Sequence, residues 1–423
     1  MKKVGFKLKL QQSSVYQVFV RSYGHEPLKA LANDLDRIKA MGFNYLYMMP
    51  IHPISKINRK GSLGSPYSIS DYYAIDASLG NLEDFKAVVN RAHQLGLGVI
   101  MDMVFNHTGG DHYYLKEHPE YYNRDEAGNL VHRIGDWSDI VDLDLSNQDL
   151  QEELIAVLKY WTNLEVDGFR FDVASLLPMS FWRKARKALD QVNPNLLWAA
   201  ESIDLNFHQA IMKAGIEVEN IPALAEVFDI FYDYETWDIL QKAFTSEKYL
   251  KLYSLLANRQ FLMQPNNTIL WRFVENHDQD RIASITDELE TWLIFNLLSY
   301  GMGFVYQGQE WAQSQRTSLF ELDLLEPRAA QFSPLIQRLN AIKRKIYQDK
   351  VLGYQLSVDQ GLFKMEITTE KASYFVLLNP FAVDTYLTLE MSEGIDLLSQ
   401  QLLKIHDQQV HSHQFPLVLE KLA

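Results

Sequence analysis

The 423-residue chain contains no cysteine. Disulfides and thiolate metal sites are therefore excluded, and the composition suits a reducing, cytoplasmic setting. Positive charge is also scarce, with 40 Lys and Arg against 54 Asp and Glu and a net charge of −14. Such a balance disfavours phosphate backbones and anionic lipid, so neither nucleic acid nor membrane is expected as a partner. Long hydrophobic runs are missing as well. The most apolar stretch, residues 292–306, is broken by Asn296, Ser299, Gly301 and Gly303 and is short for a bilayer span. It reads as a buried helix turning into a strand. The start, Met1-Lys2-Lys3, has charge but no apolar region behind it, so no secretory signal is expected.

The chain is too long for one small core and fits a large barrel with smaller modules. Its early segments alternate strand and helix. Residues 15–20 are rich in β-branched and aromatic residues. Leu28, Leu31, Leu35 and Ile38 then share one helical face, and Gly42 stops the helix. Residues 43–49 form a second strand, closed by Pro50. Asn81 caps the next helix, with Asp84 in its first turn and Phe85, Val88, Val89, Ala92 and Leu95 on its buried stripe. Residues 99–105 give the third strand. This rhythm predicts a parallel sheet with right-handed crossovers.

Residues 108–147 break the rhythm, being rich in Tyr, His, Asp, Gly and Asn without a helical stripe. A connection of that length is expected to be a functional excursion over the barrel rim. Regularity resumes with Leu150, Leu154, Val157, Leu158 and Trp161 on one helix face. Strands are expected at 166–172, 196–201, 227–232, 269–274 and 303–306, which makes eight from residue 15. The fold class expected is a (β/α)8 TIM barrel formed by residues 1–107 and 149–345. An inserted domain spans 108–148, and a small all-β domain, a sandwich, spans 346–423.

Four strand ends carry the chemistry. They read Asp102-Met103-Val104-Phe105-Asn106-His107, Val166-Asp167-Gly168-Phe169-Arg170-Phe171-Asp172, Trp198-Ala199-Ala200-Glu201 and Phe273-Val274-Glu275-Asn276-His277-Asp278. In a parallel barrel the C-terminal strand ends face one pocket, so these groups converge. Singly, each has a plainer reading. Asp172 after Arg170 could be a structural ion pair, His107 a satisfied core histidine, and Asp102 and Asn106 ties for loops. Their conjunction in this order is what points to chemistry.

With these strings, and with Ser65-Pro66-Tyr67-Ser68-Ile69-Ser70-Asp71-Tyr72 and Val141-Asp142-Leu143-Asp144-Leu145-Ser146, the sequence resembles the α-amylase family of glycoside hydrolases. The resemblance implies a retaining mechanism. Asp172 would be the nucleophile, Glu201 the general acid and base, and Asp278 the group that steadies the distorted sugar. Arg170, two residues before Asp172 and on the same strand face, would hold it ionised. His107 and His277 would bind sugar hydroxyls, and Tyr67 would stack on the ring.

Two positions depart from starch-degrading members. Val173-Ala174-Ser175-Leu176 follows Asp172 in place of a Lys-His pair that also helps organise calcium. Asn106 could still offer a hard oxygen to that ion, but with the set incomplete neither a cofactor nor a metal is expected. Ser68 stands where exo-acting relatives commonly carry Asp, which leans toward an open cleft. The expected activity is hydrolysis of α-glucosidic bonds, α-1,4 in particular, in maltodextrin-like oligosaccharides or α-glucan. The alternatives are a transglycosylase (glucanotransferase or isomerase) of the same family and an inactive sugar-binding relative. Oligomeric state is not readable from the sequence.

Overall fold

The computed structural model describes residues 8–134, 137–203, 205–213, 215–263, 268–325 and 330–422. The start of the chain, with Met1-Lys2-Lys3, and Asp204 lie outside the described residues.

Eight strands close a barrel in which every neighbouring pair is parallel. They are β1 (Ser14–Val18), β2 (Tyr45–Met48), β3 (Gly98–Met103), β4 (Gly168–Phe171), β5 (Leu197–Ala200), β6 (Ile230–Tyr232), β7 (Ile269–Arg272) and β8 (Met302–Tyr306). All eight expected strands are present, most of them shorter than the sequence suggests. β6 keeps only half of its expected length. Val227 and Phe228 belong to the preceding turn, where their N–H groups donate to the Leu224 carbonyl. An apolar turn and an apolar strand look alike in sequence when both are buried.

The crossover helices follow their sequence signals. α1 (Pro27–Ala40) buries Leu28, Leu31, Leu35 and Ile38. α2 (Leu82–Gln94) starts in a capping box. Asn81 accepts from the Glu83 and Asp84 N–H groups, and Asp84 accepts from the Asn81 N–H. α3 (Gln148–Asn163) is capped by Asn147, and α4 (Met179–Asp190) packs on α3. Residues 292–306 divide as expected into a buried helix, α6 (Leu289–Leu298), and β8. Before it comes α5 (Glu247–Met263), and after it α7 (Ser333–Tyr347). Among the described residues no helix is long and apolar enough to cross a membrane.

The excursion between β3 and α3 carries a small antiparallel ladder, His107–Gly109 against Ile140–Asp142. The loop after β2 lies directly on it. Gly109 donates to the Ile69 carbonyl at 2.7 Å, and a Cβ there would meet Ser55 Cβ at 2.4 Å. Only glycine permits that approach.

After α7 the chain forms an antiparallel sheet. Its strands are β9 (Val351–Asp359), β10 (Leu362–Thr369), β11 (Ser373–Leu378), β13 (Glu393–Asp396), β14 (Gln401–Lys404) and β16 (Leu417–Lys421), in the order β9-β10-β11-β16-β13-β14. A two-stranded ladder of β12 (Tyr386–Thr388) and β15 (Gln409–His411) accompanies it. The strand period divides the side chains. Phe363, Met365, Ile367, Val376, Leu378 and Val418 join the barrel core, while Leu362, Leu377, Leu417 and Leu419 pack on Leu387, Leu389 and Val410 in a second cluster. The junction falls between Tyr347 and Val351. On the barrel side the Asn258 side chain imitates a strand partner. Its amide donates to the Leu356 carbonyl at 2.9 Å and accepts from the Leu356 N–H at 2.7 Å.

Candidate active site

The barrel register decides which acids meet. Asp102 on β3 lies opposite Arg170 on β4, so their side chains enter the barrel mouth side by side. Asp172 and Glu201 stand one residue beyond their strands, yet both remain in the ladder. The Asp172 N–H donates to the Met103 carbonyl at 2.9 Å, and the Glu201 N–H to the Phe171 carbonyl at 3.0 Å. At the base of β4, Gly168 allows β5 to come close, since a Cβ there would meet the Leu197 carbonyl at 2.5 Å.

Arg170, fully buried, serves three carboxylates. Its Nη1 donates to Asp102 Oδ1 at 2.8 Å and to Asp172 Oδ1 at 2.9 Å, and its Nη2 stands 2.8 Å from Glu201 Oε1. The guanidinium also lies over the Tyr67 and Tyr232 rings, 5.7 and 5.6 Å from their centres. Val173 is a β-branched residue held at φ 37°, in the left-handed region, which costs about 1–3 kcal/mol. That turn aims its N–H at Glu201 Oε2, 2.7 Å away.

The other sequence-predicted residues gather round this centre. Tyr67 donates to Asp102 Oδ2 at 3.2 Å and meets His277 Nε2 at 2.6 Å, its ring stacked on the imidazole at 5.6 Å. Gln17, on β1 and distant in sequence, reaches His277 Nδ1 at 2.8 Å. His277 Nε2 lies 3.0 Å from Asp278 Oδ2, and the Asp278 N–H is fixed by Asn276 Oδ1 at 2.9 Å. Asp102 touches Tyr47, Tyr67 and Arg170 and is wholly buried, which makes it an anchor for Arg170.

These groups open on a cavity of about 320 Å³. Tyr67, His107, Asp172, Glu201 and Asp278 all line it, while Arg170 and His277 lie behind its wall. Sequence reasoning missed several others in the lining: Lys60, Trp137, Phe207, Tyr234, Gln279 and Phe320. Trp137 comes from the excursion and packs on His107 at 5.4 Å and on Phe207 at 6.1 Å. Neither aromatic sits at a strand end: Trp137 is a large ring in a polar loop, and Phe207 lies on the helix Leu205–Lys213. Ser68 does not line the cavity. It is buried and donates to the Asp139 carbonyl at 2.6 Å.

The electrostatics favour a retained proton. Burial pushes the Glu201 carboxyl up to about 7, against the pull of Arg170 and with the push of Asp278. Burial likewise holds Asp172 well above the ordinary carboxylate range, opposed by Arg170 and aided by Glu201. One guanidinium cannot balance Asp102, Asp172 and Glu201 together, so the last two titrate as a unit that keeps a proton near neutrality. Burial lowers His107 to about 4 and depresses His277 as well, so both rings are neutral hydrogen-bonding groups at neutral pH. Among the described residues no cluster of three or more His, Asp or Glu is arranged to hold a metal.

A closed parallel barrel with an acid-lined cavity over its C-terminal rim defines a TIM-barrel enzyme. The chain belongs to the α-amylase family: the family described as "Alpha amylase, catalytic domain" matches residues 19–133 and 132–351. Among solved structures, an α-amylase from Lactobacillus plantarum is 33% identical with a TM-score of 0.93, covering 98% of this chain and 100% of that one. A noncanonic maltogenic α-amylase from Thermotoga neapolitana is 31% identical with a TM-score of 0.84, covering 98% and 99%. An α-1,4-glucan:maltose-1-phosphate maltosyltransferase from Arcanobacterium haemolyticum is 33% identical over 45% of this chain, which spans only 32% of that protein. The "Alpha-amylase 3" of Dictyoglomus thermophilum is 25% identical over 70% of this chain and 63% of its own length.

Proposed function

We propose that this chain hydrolyses α-glucosidic bonds, α-1,4 bonds in particular, of maltodextrin-like oligosaccharides with retention of configuration. The observation that carries the reading is Arg170, joined to Asp172 and Glu201 at the edge of a cavity that both acids line. Asp172 receives an aligned hydrogen bond from Arg170 and is the member of the pair assigned the negative charge. Its carboxylate attacks the anomeric carbon and forms a covalent glycosyl-enzyme. Glu201, pushed upward by burial and standing against Asp278, is assigned the shared proton. It gives that proton to the leaving glycosidic oxygen and then takes one from the incoming water. Asp278 offsets charge on the oxocarbenium-like sugar, His107 bonds its hydroxyls, His277 holds Tyr67 and Asp278 in place from behind the wall, and Tyr67 supplies a stacking face. The cysteine-free composition suits a cytoplasmic place of action.

A transferase reading is favoured by the aromatic wall of Trp137, Phe207 and Phe320, which could hold an acceptor sugar against the same intermediate. The similarity to a maltosyltransferase agrees with it over 45% of this chain. Time-resolved NMR of products from a panel of α-1,4- and α-1,6-linked maltooligosaccharides tests both readings. A first-formed α-anomer is expected, and a first-formed β-anomer overturns retention. Products longer than the substrate would favour transfer over hydrolysis.

A further inference from the structure

Arg133 lies in the excursion and spreads its guanidinium over two buried oxygens. Nε donates to Asp142 Oδ2 at 2.9 Å and Nη2 to Asn106 Oδ1 at 3.1 Å. The Arg133 backbone N–H donates to the same Asp142 oxygen at 2.8 Å. Asn106 and Asp142 are each 1% exposed. They are hard donors of the kind calcium takes, one at the end of β3 and one in the excursion. A calcium ion, however, needs roughly six to eight oxygens. Here two are already committed to a cation that cannot lose its proton. Of the pair's side-chain oxygens, only Asp142 Oδ1 has no partner among the described residues. The residues do not fit the ion.

We propose that Arg133 is the built-in cation of this fold, neutralising Asp142 and fastening the excursion to β3 without a bound metal. Its reach extends to the cavity wall. Asp142 pairs with His107 in the excursion ladder, the Asn106 amide meets His107 Nδ1 at 3.2 Å, and the His107 ring packs on Trp137. Arg133 is thus a positioning residue for His107 and Trp137. The inference rests on the excursion's own contacts and stands whichever reaction the cavity performs.

The test uses the full chain. Calcium chloride and EDTA should each leave the parent's Tm unchanged, and calorimetric titration with calcium chloride should show no saturable heat. Arg133→Ala should lower Tm by at least about 2–4 °C and kcat/KM on a maltooligosaccharide by about 10–100-fold. Arg133→Lys should recover part of both, because an ammonium can reach one oxygen but not fork across two. Saturable calcium binding by the parent, or a Tm lost to EDTA and restored by calcium, overturns the proposal. So does Arg133→Ala with the parental Tm, since an activity loss alone would mark a direct substrate contact. If that variant does not fold, the parent titration decides by itself. The Tm and calorimetric arms need no substrate, so failure of the glycosidase reading leaves them intact.

Discussion

Arg170 and Arg281 are both wholly buried at the same rim of the barrel, yet their surroundings are opposite. Arg281 is hydrogen-bonded to one acid. Its Nη1 donates to Glu275 Oε1 at 2.7 Å, and its Nη2 donates to the Gln307 carbonyl at 2.9 Å and to Thr317 at 3.1 Å. The other Glu275 oxygen accepts from the Ile282 N–H at 2.8 Å, and the guanidinium lies 4.1 Å from the Tyr306 ring centre. Charge is balanced there, and the group ties the loops after β7 and β8. Arg170 faces three carboxylates, two of which line a cavity. A balanced buried pair is scaffold. A surplus of acid around one cation holds a mobile proton, and that surplus can do chemistry.

The largest expected effect separates the two directly. Asp172→Asn should leave the fold intact and lower turnover by about 10⁴-fold or more, as removal of a nucleophile does. Steady-state rates beside circular dichroism check it, and activity within tenfold of the parent would sink the nucleophile assignment. Glu201→Gln should cost about 10²–10⁴-fold, in line with the loss of a general acid. The parent should also lose kcat/KM as pH rises through about 7, because Glu201 works as an acid only while it holds the proton that burial favours. A pH profile of Glu201→Gln that kept this alkaline limb would assign it to another group.

The matching change at the balanced pair should act on stability alone. Glu275→Gln leaves Arg281 buried without its counter-charge and should cost about 3–5 kcal/mol of unfolding free energy. Urea unfolding would measure that loss, while kcat per folded molecule should stay within about twofold. A large fall in kcat at full stability would erase the distinction between the two arginines. The smallest effect is expected at Asn258→Ala, where the lost bonds to the Leu356 backbone should cost about 1–3 kcal/mol and loosen the C-terminal sheet. Hydrogen exchange along β9 would report it, with turnover unchanged.

Much of the frame was legible because its signals are local. Asn81 three residues before Asp84 spells a capping box, and Leu28, Leu31, Leu35 and Ile38 spell a helix face whatever lies around them. The same signal was available for α7, where Ile336, Leu339, Ile342 and Ile346 recur at helical spacing. The acids at 102, 172 and 201 could be read as convergent because a parallel barrel brings its C-terminal strand ends together. Trp137, Phe207 and Gln17 could not. Gln17 meets His277 across 260 residues, and Trp137 comes from a loop with no periodicity. Arg133 was equally silent. Nothing in its local sequence says that it spans Asn106 and Asp142.

The sequence by itself determined the strand and helix rhythm, the order of the strand-end acids and the α-amylase family resemblance, since each depends on residue type and short spacing. Tertiary structure decided which acids share Arg170, which rings wall the cavity and which oxygens an arginine already holds. Those depend on barrel closure, which sets distances between residues far apart in the chain, and on burial. Burial removes water from the carboxylates and so lifts Glu201 to where it can keep a proton.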